Sequence, residues 1–319
     1  MASNHKFNAT TTSDEVISAF ANQVKDRYFL LTGPTAGTIG AAVLLALAKG
    51  SPAGLILAGR TLSKFQSVAD EIKQLDPSVK VFVVTLDLAS LDSVRKAAQD
   101  VLDNAEIPRL DVLINNAGIM AQPFSLTMDG IESQFGTNHV GHFLFTNLLM
   151  PKLKLAQSGT PSVVNVSSSG HRFFRGDFAD PNFKTHSYDI WEAYGQSKAA
   201  NIIFSKALAA RGIRATSLHP GLVRGTQLGS HLSVSNWLTF MGKMTCKVVT
   251  RNWEGLAVKT TAQAAPTVLV AALDLGVPNG AYLYDCQVFP ADKRIVDDGA
   301  RLAGQLWEVS NELVKERFV

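Results

Sequence analysis

Six short apolar runs, each separated from the next by a stretch of helical length, constrain the fold of this chain more than any other feature. They lie at residues 28–32, 55–58, 81–86, 112–115, 162–166 and 215–218. Between them, residues 41–49, 62–75, 91–102, 131–153 and 192–210 read as helices. The runs are apolar nearly throughout rather than alternating, which is the pattern of strands buried on both faces of a parallel sheet. Strands alternating with helices predict an α/β fold, a doubly wound parallel sheet of Rossmann-like type in a three-layer sandwich. With 319 residues, 46% of them hydrophobic, the chain can bury such a core, and folds of this class often reach this length as a single domain.

Residues 1–25 read as an N-terminal extension and 26–319 as the domain itself. Residues 1–11 are polar and expected to be disordered. Thr12-Ser13-Asp14-Glu15 has the form of a capping box, opening a short helix with Val16, Ile17, Phe20 and Val24 on its apolar side. Residues 171–190, rich in Phe, Asp and Pro, read as an inserted loop. Residues 224–255 carry Leu228, Leu232, Trp237, Leu238, Phe240, Met241, Met244 and Trp253 outside the strand–helix order. Long loops in a compact domain are usually functional, so this segment is expected to form a lid over a bulky, lipophilic substrate. Plain core or a subunit contact is the other reading.

Composition narrows the function. A net charge of +3 with no Lys/Arg-rich run argues against nucleic acid as a partner. Cys246 and Cys286 sit in no C-x-x-C spacing and near no His cluster, so no metal site is expected and both read as free thiols of a reducing compartment. No signal peptide, no apolar run of about 20 residues and no C-terminal address is recognisable, so a cytoplasmic protein without a membrane span is expected. His139, His142, His171 and His219 follow no ligand spacing and read as structural, with a substrate contact left open for His171 near Ser168.

The first strand runs into Thr32-Gly33-Pro34-Thr35-Ala36-Gly37-Thr38-Ile39-Gly40 and then a helix. Glycines allow a sharp turn and close approach of a ligand to the backbone, and a helix N-terminus offers free N–H groups to a pyrophosphate. Turns also use glycine for their own geometry, but the place between first strand and first helix favours a nucleotide site. The second strand ends at Ala58-Gly59-Arg60, with Lys64 beyond. An acid here would suit the ribose 2′-hydroxyl of NAD, whereas Arg accommodates a 2′-phosphate. NADP(H) is therefore the expected cofactor, against the plainer reading of two solvated cations.

Tyr194-Gly195-Gln196-Ser197-Lys198 puts a phenol and an ammonium four residues apart on one helix face. Val166-Ser167-Ser168-Ser169-Gly170 places a hydroxyl at the end of the fifth strand. Hydroxyl, phenol and amine together can move a proton on or off a carbonyl oxygen. A free tyrosine has a pKa of about 10, poorly matched to neutral pH, and the charge of Lys198 is expected to favour the phenolate.

These segments, together with Asp87 after the third strand, Asn115-Asn116-Ala117-Gly118 after the fourth, Asn138 in the long helix and Pro220-Gly221, occur in the order found in the short-chain dehydrogenase/reductases, which the chain resembles over about residues 28–226. Trp191-x-x-Tyr194 and the insert before it are similar to the retinol-dehydrogenase-like branch. The N-terminal extension and Asp285-Cys286-Gln287 resemble fungal members of it. The resemblance implies Tyr194 as general acid/base, Ser168 as donor to the substrate oxygen, Lys198 as partner of both the phenol and the nicotinamide ribose, and Asn138 as part of a proton relay. It implies a cofactor site of Gly33, Thr35, Gly37, Ile39, Gly40, Arg60, Lys64, Asp87, Leu88, Asn116, Ala117, Gly118, Tyr194, Lys198, Pro220, Val223 and Thr226. Asp87 reads either as a contact to the adenine edge or as a helix-entry residue. Asn116 reads as lining the adenosine side, tying strands together, or both. The glycine turn is one residue longer than the family's usual form, and Thr226 lies five rather than four past Gly221. The expected activity is an NADP(H)-dependent interconversion of carbonyl and alcohol on a lipophilic small molecule, such as a secondary-metabolite intermediate. The alternatives are non-redox chemistry on the same scaffold, or a dinucleotide-sensing regulator. By analogy with relatives, copies would pair through the long helix and the Tyr194 helix as a homodimer or homotetramer.

Overall fold

A computed structural model describes residues 4–157, 159–224, 227–229, 232, 236, 239, 242, 254 and 258–319. The strands are β1 (Tyr28–Thr32), β2 (Gly54–Gly59), β3 (Lys80–Thr85), β4 (Val112–Asn115), β5 (Ser162–Val166), β6 (Arg214–His219), β7 (Leu222–Val223), β8 (Val258–Lys259), β9 (Tyr282–Tyr284) and β10 (Gln287–Val288). Eight of them form one sheet in the order β10-β9-β6-β5-β4-β1-β2-β3, and β7 pairs with β8 apart from it. All neighbours in the large sheet run parallel except β10 on β9.

The largely apolar inner strands follow from this layering. In β1, Leu30 faces the layer of helices Leu91–Asp103, Gly141–Leu148, Ile190–Ala210 and Gly299–Val314. Its neighbours Phe29 and Leu31 face the layer of Ile39–Ala48, Gln66–Leu75 and Thr261–Leu273. Both sets are fully buried, so neither face can be polar. The fold is the expected doubly wound α/β sandwich. Chain order reverses between β1 and β4, and open sheets of this kind bind ligands at the carboxyl ends of the strands at such a reversal.

Several boundaries differ from the sequence expectations for local reasons. The segment 62–75 is not one helix. A 3₁₀ turn, Leu62–Lys64, gives way at Phe65 (φ −137°, ψ 5°) to Gln66–Leu75, because the buried Phe65 ring packs against Gly59. The long helix starts at Ser133, where the Glu132 carboxylate accepts the N–H groups of Gln134 and Phe135 at 3.0 and 2.7 Å, and it contains a π turn at Gly136–Val140. Residues 4–11, expected to be disordered, are tied down: the Gln287 amide donates to the carbonyls of Asn4 and Phe7, and Phe7 is buried against Phe20. Thr12 and Glu15 form the reciprocal capping box of helix Ser13–Ala19. Most of 224–255, the expected lid, lies outside the described residues, as do Thr226 and Cys246. Cys286 is a free, buried thiol.

Beyond residue 218 the sequence announces no regular element. Helix Thr261–Leu273 contains Pro266, ordinarily a breaker, and β9 and β10 are only three and two residues long. The C-terminal helix Gly299–Val314 lies across the outer side of the two helices through which pairing is implied. Trp307 meets Phe143 edge-on at 5.1 Å and Phe204 at 6.0 Å, and Ser310 bonds His139 at 2.8 Å. The implied contact surface is thus taken, at these residues, by the chain itself. Among the described residues no helix is long and apolar enough to cross a membrane.

Candidate active site

The glycine turn leaves β1 at the reversal point. Gly33 and Gly37 take φ of +77° and +74°, a backbone region that other residues enter at a cost. The longer loop still closes. Helix Ile39–Ala48 begins at Ile39, and a Cβ on Gly40 would stand 2.4 Å from the Gly33 carbonyl. Thr38 does not cap the helix; its hydroxyl instead donates to the Thr35 carbonyl at 2.6 Å. The first-turn amides therefore carry no side-chain cap.

β4 delivers Asn116, Ala117 and Gly118 beside this turn. The Thr32 hydroxyl oxygen accepts from the N–H groups of Asn116 and Ala117, both at 3.0 Å, and its proton goes to His142 Nε2 at 2.9 Å. His142 Nδ1–H then donates to the Asn138 carbonyl at 3.0 Å. The Asn116 amide donates to the carbonyls of Thr32 and Gly33, so its tying role is realised. His142, read only as structural, braces the glycine turn against the π turn that carries Asn138. Burial drives its pKa down to about 4, so it stays neutral. Asp87 is a loop organiser: Oδ1 accepts the Ala89 N–H at 3.0 Å, and its own N–H goes to Ser93 Oγ. Leu88 is buried against Gly141. Arg60 and Lys64 are both exposed, and the Lys64 carbonyl accepts Ala36 N–H at 3.0 Å, joining this loop to the glycine turn.

Ser168, Tyr194 and Lys198 do come together. Ser168 is half-buried at the end of β5, and its Oγ accepts Gly170 N–H at 3.1 Å. The Tyr194 phenol is buried, and the Ser168 side chain beside it favours its ionised form. Two glycines permit this contact: a Cβ on Gly170 would lie 2.7 Å from the Tyr194 ring, and one on Gly195 2.8 Å from the Gly170 carbonyl. Lys198 Nζ lies 5.8 Å from the Tyr194 ring centre and donates to the Val166 carbonyl at 3.1 Å. Burial pushes the phenol up to about 12, an effect only partly offset by the Ser168 side chain, and pushes Lys198 down to about 8. Burial thus sets the state of the phenol in the chain by itself, opposite in direction to the lowering expected of Lys198. Asn138 is committed by its side chain, which accepts Ile119 N–H at 2.7 Å and donates to Ile119 O and Ser197 Oγ, both at 2.9 Å.

Between these walls the Gly118 backbone is closely approached: a Cβ there would be 3.0 Å from Asn138 Oδ1 and 3.2 Å from Lys198 Nζ. The uncapped helix amides and the positive-φ glycines before them fit a dinucleotide laid across the reversal point. At the far end, Pro220 is buried and Gly221 (φ +97°) has the Lys259 side chain packed against it, while Val223 pairs with Lys259 in the small sheet. Thr226 lies outside the described residues. His171 is fully buried, its ring nitrogens bonded to the Ser168 carbonyl and the Asp292 N–H. A further buried cluster joins residues distant in the chain: Arg172 pairs with Glu254 at 2.8 Å, and the Tyr282 hydroxyl donates to the same carboxylate at 2.8 Å. Nothing in the spacing of residues 172, 254 and 282 announces it.

The short chain dehydrogenase family matches residues 27–236. Human retinol dehydrogenase 13 is 38% identical over 292 residues, covering 89% of this chain and 83% of that protein. The chloroplastic short-chain dehydrogenase TIC 32 A of Brassica napus is 34% identical, covering 97% of this chain and 94% of its own. A crystal structure of an uncharacterized protein from Mycobacterium Paratuberculosis superposes with a TM-score of 0.68 at 32% identity, covering 92% of this chain and 96% of that one. The chain belongs to the short chain dehydrogenase family, oxidoreductases that work with a nicotinamide dinucleotide.

Proposed function

We propose that the protein is an NADP(H)-dependent oxidoreductase that interconverts a carbonyl and an alcohol on a lipophilic small molecule. The observation that carries this reading is the buried Tyr194 phenol beside Ser168, with Lys198 one helical turn on. Gly33, Gly37 and the first-turn amides from Ile39 would hold the dinucleotide, which would supply or accept the hydride when bound. Tyr194, protonated at neutral pH, gives its proton to the substrate oxygen in reduction and takes it back in oxidation. Ser168 turns its hydroxyl from Tyr194 to the substrate oxygen and steadies the charge that develops there. Lys198, cationic below about pH 8, stabilises the phenolate left behind. Asn138 straps the β4 loop to the Tyr194 helix and so holds Gly118 against Lys198. Arg60 and Lys64 are the residues for a 2′-phosphate: both are exposed, and neither forms an ion pair among the described residues. The retinol named in several relatives is a lipophilic alcohol, in keeping with the apolar side chains of 224–255.

Fluorescence titration with NADPH and NADH tests the cofactor. NADPH is expected to bind at least about tenfold more tightly, and Arg60→Asp to erase that preference; equal affinities in the unmodified protein overturn the reading. With retinal as probe carbonyl, Tyr194→Phe is expected to lower kcat by about 10²–10⁴-fold while the Kd for NADPH stays within about threefold. Undiminished turnover in that variant would remove Tyr194 from the chemistry. Conversion of retinal with no change in NADPH absorbance would favour the non-redox alternative.

A further inference from the structure

We infer that His171 is the positioning residue for Ser168, a buried imidazole that fixes the serine's carbonyl and thereby the hydroxyl that meets Tyr194. The inference rests on the reading of Ser168 and Tyr194 given above. His171 is 0% exposed, and both ring nitrogens are engaged by backbone. The Asp292 N–H points at Nε2 from 3.0 Å. A backbone N–H can only donate, so Nε2 is bare and the ring proton sits on Nδ1. Nδ1–H therefore donates to the Ser168 carbonyl, 2.6 Å away. The same carbonyl also accepts the His171 backbone N–H at 3.0 Å. One residue thus supplies two donors to one acceptor, which fixes the peptide plane next to the serine side chain.

The surroundings lock the ring in this role. Tyr282 meets it edge-on at 5.1 Å, and the Tyr282 hydroxyl is itself held by Glu254, which also binds Arg172, the next residue in the chain. Asp292 caps helix Lys293–Asp297 through Arg294 N–H, so the anchor on the Nε2 side is a helix entry rather than a loose loop. Burial keeps the ring neutral, with a pKa of about 4. A second proton would have to enter at Nε2, where the Asp292 N–H already points. His171 has no nitrogen left for a substrate and acts only through Ser168.

Two substitutions remove opposite halves of the bridge. His171→Asn places an amide N–H where Nδ1 was and keeps the donor to Ser168, but is too short for Asp292. His171→Gln reaches the Nε2 position and can accept from Asp292, but offers nothing at Nδ1. Retinal reduction with NADPH, NADPH affinity and thermal midpoint are measured for both. In the Gln variant kcat is expected to fall about 10- to 100-fold, the scale of a misplaced reacting group, with the Kd for NADPH unchanged within about twofold. The Asn variant is expected to keep kcat within about threefold of the parent whatever its midpoint does. Equal losses in the two variants, or kcat that follows the thermal midpoint, overturn the inference. Crystal structures of the two variants give a readout apart from turnover: Ser168 moves away from Tyr194 in the Gln form and not in the Asn form. An unmoved Ser168 in the Gln form overturns the inference, whereas failure of the parent protein to reduce retinal counts against the functional reading instead.

Discussion

On the glycine-turn side of the cleft, Thr32 gathers the N–H groups of Asn116 and Ala117 and passes its own proton to His142. On the serine side, Ser168 hangs from His171, whose far nitrogen is held by Asp292, with the Arg172–Glu254 pair beneath. Both walls use a buried neutral histidine as a strut. They differ in what the strut stands on. The glycine-turn wall is a set of neutral hydrogen bonds between two parallel strands and the helix that follows them. The serine wall reaches to residues 254, 282 and 292 and includes a desolvated ion pair. A neutral hydrogen bond contributes about 1 kcal/mol net, whereas breaking a buried ion pair from one side leaves an uncompensated charge and costs about 3–5 kcal/mol. The serine wall should therefore be the brittle one.

The largest expected effect tests that contrast directly. Arg172→Met strands the Glu254 carboxylate, 1% exposed, and should destabilise the protein by about 3–5 kcal/mol in urea unfolding. The double variant Arg172→Met/Glu254→Met should recover more than half of the loss, less the cost of an unpartnered Tyr282 hydroxyl. If the double variant is as unstable as the single one, the charge is not what makes this wall brittle.

Thr32→Val should cost less, about 1–3 kcal/mol, because it strands two backbone N–H groups and a neutral imidazole rather than a charge. It should weaken NADPH binding while leaving kcat at saturating cofactor within about twofold. A penalty above that of Arg172→Met would reverse the ranking of the two walls.

The smallest effect concerns Lys198, which stands between them. Its pKa is pushed down to about 8 from 10.5 by burial, so it is cationic at pH 7 and loses its charge as the pH rises through 8. NADPH affinity should be flat up to that pH and fall about three- to tenfold by pH 9.5. Folding stability has the opposite sign. Because folded Lys198 holds its proton more weakly than the unfolded chain does, its contribution to stability increases between pH 8 and 10. Tyr194, raised from 10 to about 12, opposes this only above pH 10. Affinity and stability that fall together over pH 8–10 would show that another group titrates there.

Much of the glycine-turn wall was legible. Gly33, Gly40, Asn116 and Gly118 lie within a few residues of strand ends, and the local pattern of apolar strand, glycine and helix already places them at one edge of a parallel sheet. The pairing of Tyr194 with Lys198 follows from helical spacing alone. Less legible was the state of these groups: the phenol was expected to be lowered by the ammonium, but burial, which no linear spacing reports, raised it. Phe65 broke an expected helix for the same kind of reason, through a ring that had to be buried under Gly59.

By itself the sequence determined the layered α/β architecture, the strand ends from which the site is built and the three side chains at its centre, because each of these depends on periodicity or on neighbours close in the chain. Only the tertiary structure decided what holds Ser168 in place, which histidines are struts, and that Trp307 covers Phe143 and Phe204. Apart from His171 on Ser168, three positions away, those contacts join residues more than a hundred positions apart. They arise when packing removes water from polar groups that must then find partners inside the protein.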